Sequence, residues 1–453
     1  MSGLTFLIVC IFALFRLIYG EDLYVSPVHQ GDACDQFFPC SFQTALSRAE
    51  GNEESDTIYV SPGTYLIGNT LEVNVSDKER LTIKPLDPDK MPVLDGGGNL
   101  RIMKVSFVET QVTIEGLVFQ NGNAGSEDGG ALYVSGEATV AFFLRNSTFI
   151  SNTARKGGAV FVTNTVGKVF IPGNRFEGNT SYGEGSALYT PCFSYSSLDF
   201  ALIERNTFLN NLGDSTVYLN ASGNNCSFTG NLLANNSSVN MPYGVLYMDV
   251  SGKAHVVNNT IYGSDMVGIY ARLSDQNAEI NLYNNIVWKT GETAFAGKSL
   301  TVLANSGRLR IFNNFMGQAF LLDPDADGTS DDTVVSEGVY LKDTSASMYS
   351  YNANLFTDPK FVNPQGGDFR LQGTSPAIDS GTSDLPAGAY LGTKDIDTNP
   401  REVDGNADEI PVVDRGAFEY NPLGVGTGGC TSASLSPLGL LLLLILLTKR
   451  FIR

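Results

Sequence analysis

Apolar and polar positions along this chain repeat with a period near 28 residues. Phe119, Phe149, Phe176, Phe208, Leu233, Ile261, Val287 and Met316 sit in matching frames, 30, 27, 32, 25, 28, 26 and 29 residues apart. An Asn stands two positions before the apolar residue at Asn174, Asn206, Asn231, Asn259, Asn285 and Asn314, and three before it at Asn146. A second Asn follows three positions later at Asn152, Asn179, Asn211 and Asn236. Each frame then steps through small residues into an apolar run, as in GGALYV (129–134), GGAVFV (157–162) and GSALYT (185–190). No helical periodicity accompanies the pattern, which predicts short strands in a stacked repeat.

Two or three strands of a few residues cannot bury a face alone. If each pairs with its counterpart one repeat later, the backbone bonds close into long parallel sheets and like side chains stack inside. Asn at recurring corners tolerates left-handed geometry and its amide bonds from coil to coil. Gly-Gly lets the chain turn where a Cβ would clash. The predicted fold is therefore all-β, a right-handed parallel β-helix over 57–345. Residues 21–56 form an N-terminal cap and 346–422 an irregular C-terminal cap. SFQTALSRAEG, 41–51, reads as a short cap helix with Ser41 at its start and Gly51 at its end.

Composition agrees, since Gly, Asn, Ser, Thr, Val, Phe and Tyr make a strand-and-turn vocabulary. The formal charge of -19 argues against nucleic acid and favours cations or a neutral or basic ligand; it is also ordinary for an exported protein. Residues 1–20 contain the apolar run LTFLIVCIFALF before Glu21 and Asp22, which reads as an export signal, though without an early Lys or Arg. Five cysteines lie beyond it. In an oxidising compartment Cys34 with Cys40, and Cys192 with Cys226 about one repeat apart, are the expected disulfides, leaving Cys430 over. Residues 423–453 place small residues before the apolar run Leu438 to Leu447 and the basic pair Lys449 and Arg450. That run is short for a lone membrane span.

Several stretches resemble known families. The FxxN and GGA elements are similar to the repeats of chlamydial polymorphic outer-membrane proteins. TIYVSPGTYLIGNTLEVN and VTIEGLVFQNG, within 57–122, resemble the first coils of pectin-lyase-like β-helix proteins. SPAIDSG, beginning at Ser375, and DRGAFEY, beginning at Asp414, resemble the choice-of-anchor Q segment of exported bacterial proteins. The C-terminal stretch resembles bacterial GlyGly-CTERM sorting tails, which implies cleavage by a rhomboid-type protease near Gly428 or Gly429, beside Cys430. A GPI signal has a similar layout, but the basic end fits it poorly.

The sharpest chemical motif is DPDADGTSDD, 323–332. Asp323, Asp325 and Asp327 alternate, Gly328 permits a turn, and Asp331 and Asp332 follow, a set of hard oxygens suited to Ca2+. Val334 stands where an EF-hand loop has its closing Glu, and the other reading is a solvated acidic loop. Asp395, Asp397 and Asp404 form a second, looser acidic loop. Resemblance to the pectin-lyase-like proteins implies, for a lyase, an Arg or Lys base with calcium on the uronate carboxylate. Neither the Arg-x-Pro-x-x-Arg lyase pattern nor the clustered carboxylates and Gly-His-Gly of the hydrolases is present, and the two histidines are His29 and His255. Arg155, Lys156, Arg205 beside Glu204, and Arg272 either line a lateral groove or are solvated charges. Tyr133, Tyr189, Tyr218, Tyr247 and Tyr270 recur in one strand of successive coils. They form either an outward ladder for sugar rings or an inward aromatic stack, because alternation fixes only that neighbours such as Leu132 face the other way.

The expected function is an exported, surface-anchored or tail-released protein that binds polysaccharide or another cell surface. Its membrane contact is confined to the tail, and no residue is assigned to catalysis. The alternative is a calcium-assisted lyase acting on acidic glycans.

Overall fold

The computed structural model describes residues 20–422 except 29–30, 52–54, 76–79, 138–139, 193–200, 224, 239–242, 291–298, 305–306, 318–332, 336–338 and 343–348. Three sheets share the repeating strands. Sheet I runs from Asp22–Val25 and Asp56–Val60 to Arg308–Phe312 and Tyr349–Asn352. Sheet II runs from Thr64–Leu66 to Phe315–Met316, and sheet III from Leu71–Val75 to Val339–Lys342. A typical winding passes through Gln111–Glu115 in sheet I, Val118–Gln120 in sheet II and Leu132–Gly136 in sheet III. It returns to sheet I at Ala141–Arg145. Pairing is parallel and in register from winding to winding, so Phe119 lies beside Phe149 and Phe149 beside Phe176. Within these three sheets the exception among the described residues is Thr333–Val335, antiparallel to Val339–Lys342.

Register explains the repeated aromatic. The rings of Phe119, Phe149, Phe176 and Phe208 stack at 5.0, 4.9 and 4.8 Å within 5 to 9° of parallel, and all are fully buried. Leu233, Ile261, Val287 and Met316 continue the column inside.

Two neighbouring residues divide the work at the corner between sheets I and II. The first takes positive φ, as at Asn146, Gly173, Arg205, Gly230, Asn258, Asn284 and Asn313. The second is the buried ladder Asn. Asn174 donates its main-chain N–H (2.8 Å) and its Nδ2 (3.1 Å) to Oδ1 of Asn206, and Asn206 repeats this toward Asn231 at 2.9 and 3.0 Å. The chain continues through Asn259, Asn285 and Asn314 to Asn354. The spacing of three at Asn146 is now explained: Asn146 is the left-handed residue and Ser147 holds the ladder position, bonded to Asn174 Oδ1. Asn152, Asn179, Asn211 and Asn236 make a second ladder at the next corner.

The Gly-Gly step also has a physical reason. Gly157 has φ +57°, and a Cβ on Gly158 would lie 2.3 Å from the carbonyl oxygen of Ser186 in the next winding.

Helix α1 (Phe42–Ala49) covers the N-terminal end, burying Phe42, Ala45, Leu46 and Ala49, with Ser41 Oγ accepting from Thr44 N. Its C-cap is Glu50, still in right-handed geometry, so Gly51 lies one residue beyond. Both expected disulfides are present. Cys34–Cys40 closes the loop before the helix, and Cys192–Cys226 ties the end of a sheet III strand to a sheet I strand.

After Asn352 the chain turns back as a strap. Phe361, Phe369, Leu371, Ala377 and Phe418 pack on Leu232, Ala234, Tyr262 and Ile286 of sheet II. The strap is locked by a polar knot built from the two quoted C-terminal motifs. Asp414 accepts from the N–H groups of Asp379 (2.7 Å) and Tyr420, and Glu419 accepts from Asp414 N and pairs with Arg401 at 3.0 Å. Arg415 donates to the carbonyls of Ser380 and Ala353. From Thr382 to Gly392 the strap sends an arm across the outer face of sheet I.

Candidate functional site

Pleating places Leu132, Val160, Leu188, Val217, Leu246 and Ile269 of sheet III inside, so their neighbours point out. The outward row, in register, is Glu72, Lys104, Tyr133, Phe161, Tyr189, Tyr218, Tyr247 and Tyr270. The tyrosine ladder is therefore external, and Phe161 belongs to it. Sequence reading passed over Phe161 because it followed the tyrosines; the GGAVFV frame itself marks the position.

The ladder does not offer ring faces to a sugar. Tyr133, Phe161, Tyr189 and Tyr218 stack on one another at 5.6, 4.6 and 4.3 Å. The Arg101 guanidinium covers Tyr133 at 5.1 Å, and Tyr247 meets Tyr218 and Tyr270 edge to face. Tyr218 and Tyr247 are buried, at 7% and 3% exposure. What the half-exposed rings present to solvent is a row of edges, so a ligand here meets hydroxyls and charges.

Those charges come from the loops that enter sheet III and from its outward positions. Arg101 reaches Glu127 (2.8 Å) and the carbonyls of Asp128 and Gly129, while Arg155 grips Asp128 through two bonds of 2.9 and 2.8 Å. Lys156 meets Glu184 at 3.0 Å and lies over Tyr189, and Lys104 faces Glu72 at 3.6 Å. Arg272 pairs with Asp249, which also accepts from Tyr218 Oη at 2.7 Å. Arg101, Lys104, Ser126, Glu127, Asp128, Tyr133 and Arg155 together line a recess of about 380 Å3.

Each of these cations has its carboxylate one winding away, and this sets the chemistry. Burial pushes the Lys156 ammonium down, but the Glu184 carboxylate bonded to it outweighs burial and moves it up. A general base must release its proton near the working pH, and Lys156 is moved the opposite way. The recess is an array of polar donors and acceptors, locally balanced in charge.

The other singled-out residues lie elsewhere. Arg205 and Glu204 belong to the corner between sheets I and II, near Arg401 of the strap. His255 is on the outer face of sheet I beneath the arm. Asp395 is fully buried and accepts from Asn399 N, Asn399 Nδ2 and Glu419 N, while Asp404 accepts from the N–H groups of Asp408 and Glu409. These oxygens hold turns, and among the described residues no cluster of three or more His, Cys, Asp or Glu side chains is arranged to hold a metal. Asp323, Asp325, Asp327, Asp331 and Asp332 lie outside the described residues, as do His29, Gly428, Gly429 and Cys430.

Residues 104–287 match the family model described as right handed beta helix region. With the three parallel ladders, this makes the architecture a right-handed parallel β-helix. Among solved structures the chain is similar to pectate lyase Pel9A, at 15% identity over 89% of this chain and 98% of that one, with TM-score 0.42. It is also similar to a variant of the PL6 family alginate lyase AlyGC, at 14% identity over 91% and 60%, TM-score 0.37. A pectate lyase variant from Xanthomonas campestris aligns at 12% identity over 76% and 82%, TM-score 0.26. No curated protein matches the sequence.

Proposed function

We propose that this protein is an exported β-helix that binds extracellular polysaccharide, or the glycan coat of another cell, along the outer face of sheet III. The observation that carries this reading is the recess between Arg101, Lys104 and Arg155, where paired charges and tyrosine edges leave many hydrogen-bonding groups beside solvent. Sugars carry mostly hydroxyls, and such a surface recognises them without chemistry. The second reading is a calcium-assisted lyase on acidic glycans. The gathering of cations and carboxylates in one recess favours it, and the pairing of each recess cation with a carboxylate, which holds its proton in place, opposes it.

A glycan panel scored for both retention and cleavage separates the two. Binding without turnover is expected, and Lys104→Ala combined with Arg155→Ala should weaken it at least about 10- to 100-fold, the range for losing one hydrogen bond from a charged group. An unsaturated product absorbing in the ultraviolet, formed from uronate polymers with calcium, would establish the lyase instead.

Export and anchoring belong to the same proposal. The leader is removed before Glu21, and a rhomboid-type protease trims the tail near Gly428 or Gly429, giving an outer-membrane-anchored or released product. Mass spectrometry of the mature surface form should find an end near Gly428, and an intact Arg453 would refute it. Calcium at 323–332 would serve structure, and a thermal shift that chelator abolishes is the expected sign.

A further inference from the structure

The arm formed by residues 382–392 is held down by few contacts. None of its residues joins either apolar cluster, and all are partly or fully exposed. Its bonds to the column include the Thr382 main chain with the Asn284 amide and the Tyr390 carbonyl with Thr229 Oγ1 at 2.9 Å. Segments with so little buried surface open locally at low cost.

Beneath the arm lies His255, 1% exposed. Its Nδ1 is 3.3 Å from the Asn281 amide nitrogen, which also donates to Glu279. Its Nε2 has no hydrogen-bond partner, and Ser227 Oγ beside it in the preceding winding has none either. Gly388 of the arm closes over the ring. A Cβ there would lie 3.3 Å from Nε2 and 2.3 Å from Asn225 Oδ1, and Gly388 has φ +90°. With the amide donating, Nδ1 is an acceptor and the neutral ring carries its hydrogen on Nε2.

We propose that the arm is an acid-released clasp: protonation of His255 lifts residues 382–392 and uncovers the polar outer row of sheet I. An imidazolium under the closed arm has donors at both nitrogens and an acceptor at neither. Glu279 attracts it, but that carboxylate is taken by Arg310 and Asn281, and Lys253 and Arg310 repel it. The nearest acid of the arm, Asp384, is exposed and acts on Tyr283. Lifting the arm returns the ring to water without unwinding a coil.

Burial pushes His255 down to about 4 from its ordinary 6.5. A base depressed on closing gives the closed form its full stability above about 6.5, and that stability is lost as pH falls through about 4. Were the arm the source of all of this burial, the open-to-closed ratio would change by about 300-fold, ten to the power of the shift, which is therefore the upper bound. The knot at the strap's other end responds oppositely. Burial pushes Asp414 up to about 7, so its contribution is complete in acid and is lost as pH rises through about 7. Acid loosens the arm while the knot holds.

Hydrogen exchange of the full chain between pH 7.5 and 3.5, corrected for intrinsic rates, tests this. Peptides covering 382–392 should lose protection between pH 6.5 and 4, by roughly 10- to 300-fold, while those around Phe176 keep theirs. His255→Gln should remove the pH step, and Gly388→Ala should leave the arm open at every pH. A step that survives in His255→Gln, or none in the native chain, overturns the proposal. The chain has two histidines, so NMR titration of labelled imidazoles is an independent measure should His255→Gln not fold. A buried His255 titrating at its ordinary value would also overturn the proposal.

Discussion

Asn206→Ala is expected to destabilise the column by about 4 kcal/mol, more than most single substitutions achieve. The side chain is fully buried. Its oxygen accepts from Asn174 N at 2.8 Å, and its amide donates to Ile171 O at 2.7 Å. Truncation leaves that N–H and that carbonyl in a dry interior, at about 1–3 kcal/mol each. Asn231 is less affected, since it keeps the bond from the main-chain N–H of residue 206. Asn146 is the contrast. It is exposed, with φ +51°, so Asn146→Gly removes strain and gives up only an exposed 3.4 Å bond to Glu115 Oε1, and should change stability by no more than about 0.5 kcal/mol. Denaturant unfolding of both variants decides the matter, and a cost below about 1 kcal/mol for Asn206→Ala would contradict the ladder's assigned role.

Arg401→Met should cost about 3–5 kcal/mol, the usual result of leaving one buried charge behind. Arg401 and Glu419 are 2% and 0% exposed. Burial drives the Glu419 carboxyl well up, against the opposing pull of Arg401. The pair is not ideal, because Arg401 Nε and Nη2 find no acceptor. Replacing both partners, Arg401→Met with Glu419→Leu, should therefore recover most of the loss. The damage belongs to the strap, so limited proteolysis should cut within 355–420 in the single variant while the coils stay intact. Equal damage in single and double variants would mean that volume, not charge, is what matters there.

Much of the column was legible because a solenoid repeats its constraints. Phe119 to Met316 had to share one environment, and they do. The division of the corner into two roles was not legible. Arg205 and Ser151 hold left-handed positions that no propensity assigns to them, and they do so because the ladder residue beside each, Asn206 and Asn152, is already committed. The direction of the tyrosines was undecidable from alternation alone, and their mutual stacking needed coordinates. The strap's docking place did leave a signal. In sheet II the flanking residues mix apolar Val118 and Ile150 with polar Gln120, Thr148, Arg175 and Glu177, then become mostly apolar at Leu232, Ala234, Tyr262 and Ile286. A face that turns apolar midway along a repeat is one that something else covers.

The amide chain inside the column also has a direction. From Asn174 to Asn354 every link donates forward, so the side-chain dipoles add head to tail and polarise one another. Each amide also sends its second hydrogen backward, to a carbonyl of the preceding winding. Truncation from the C-terminus strands two donors at the cut, the main-chain N–H and one amide hydrogen, whereas truncation from the N-terminus strands one amide hydrogen beside a spare acceptor, the cheaper end to hydrate.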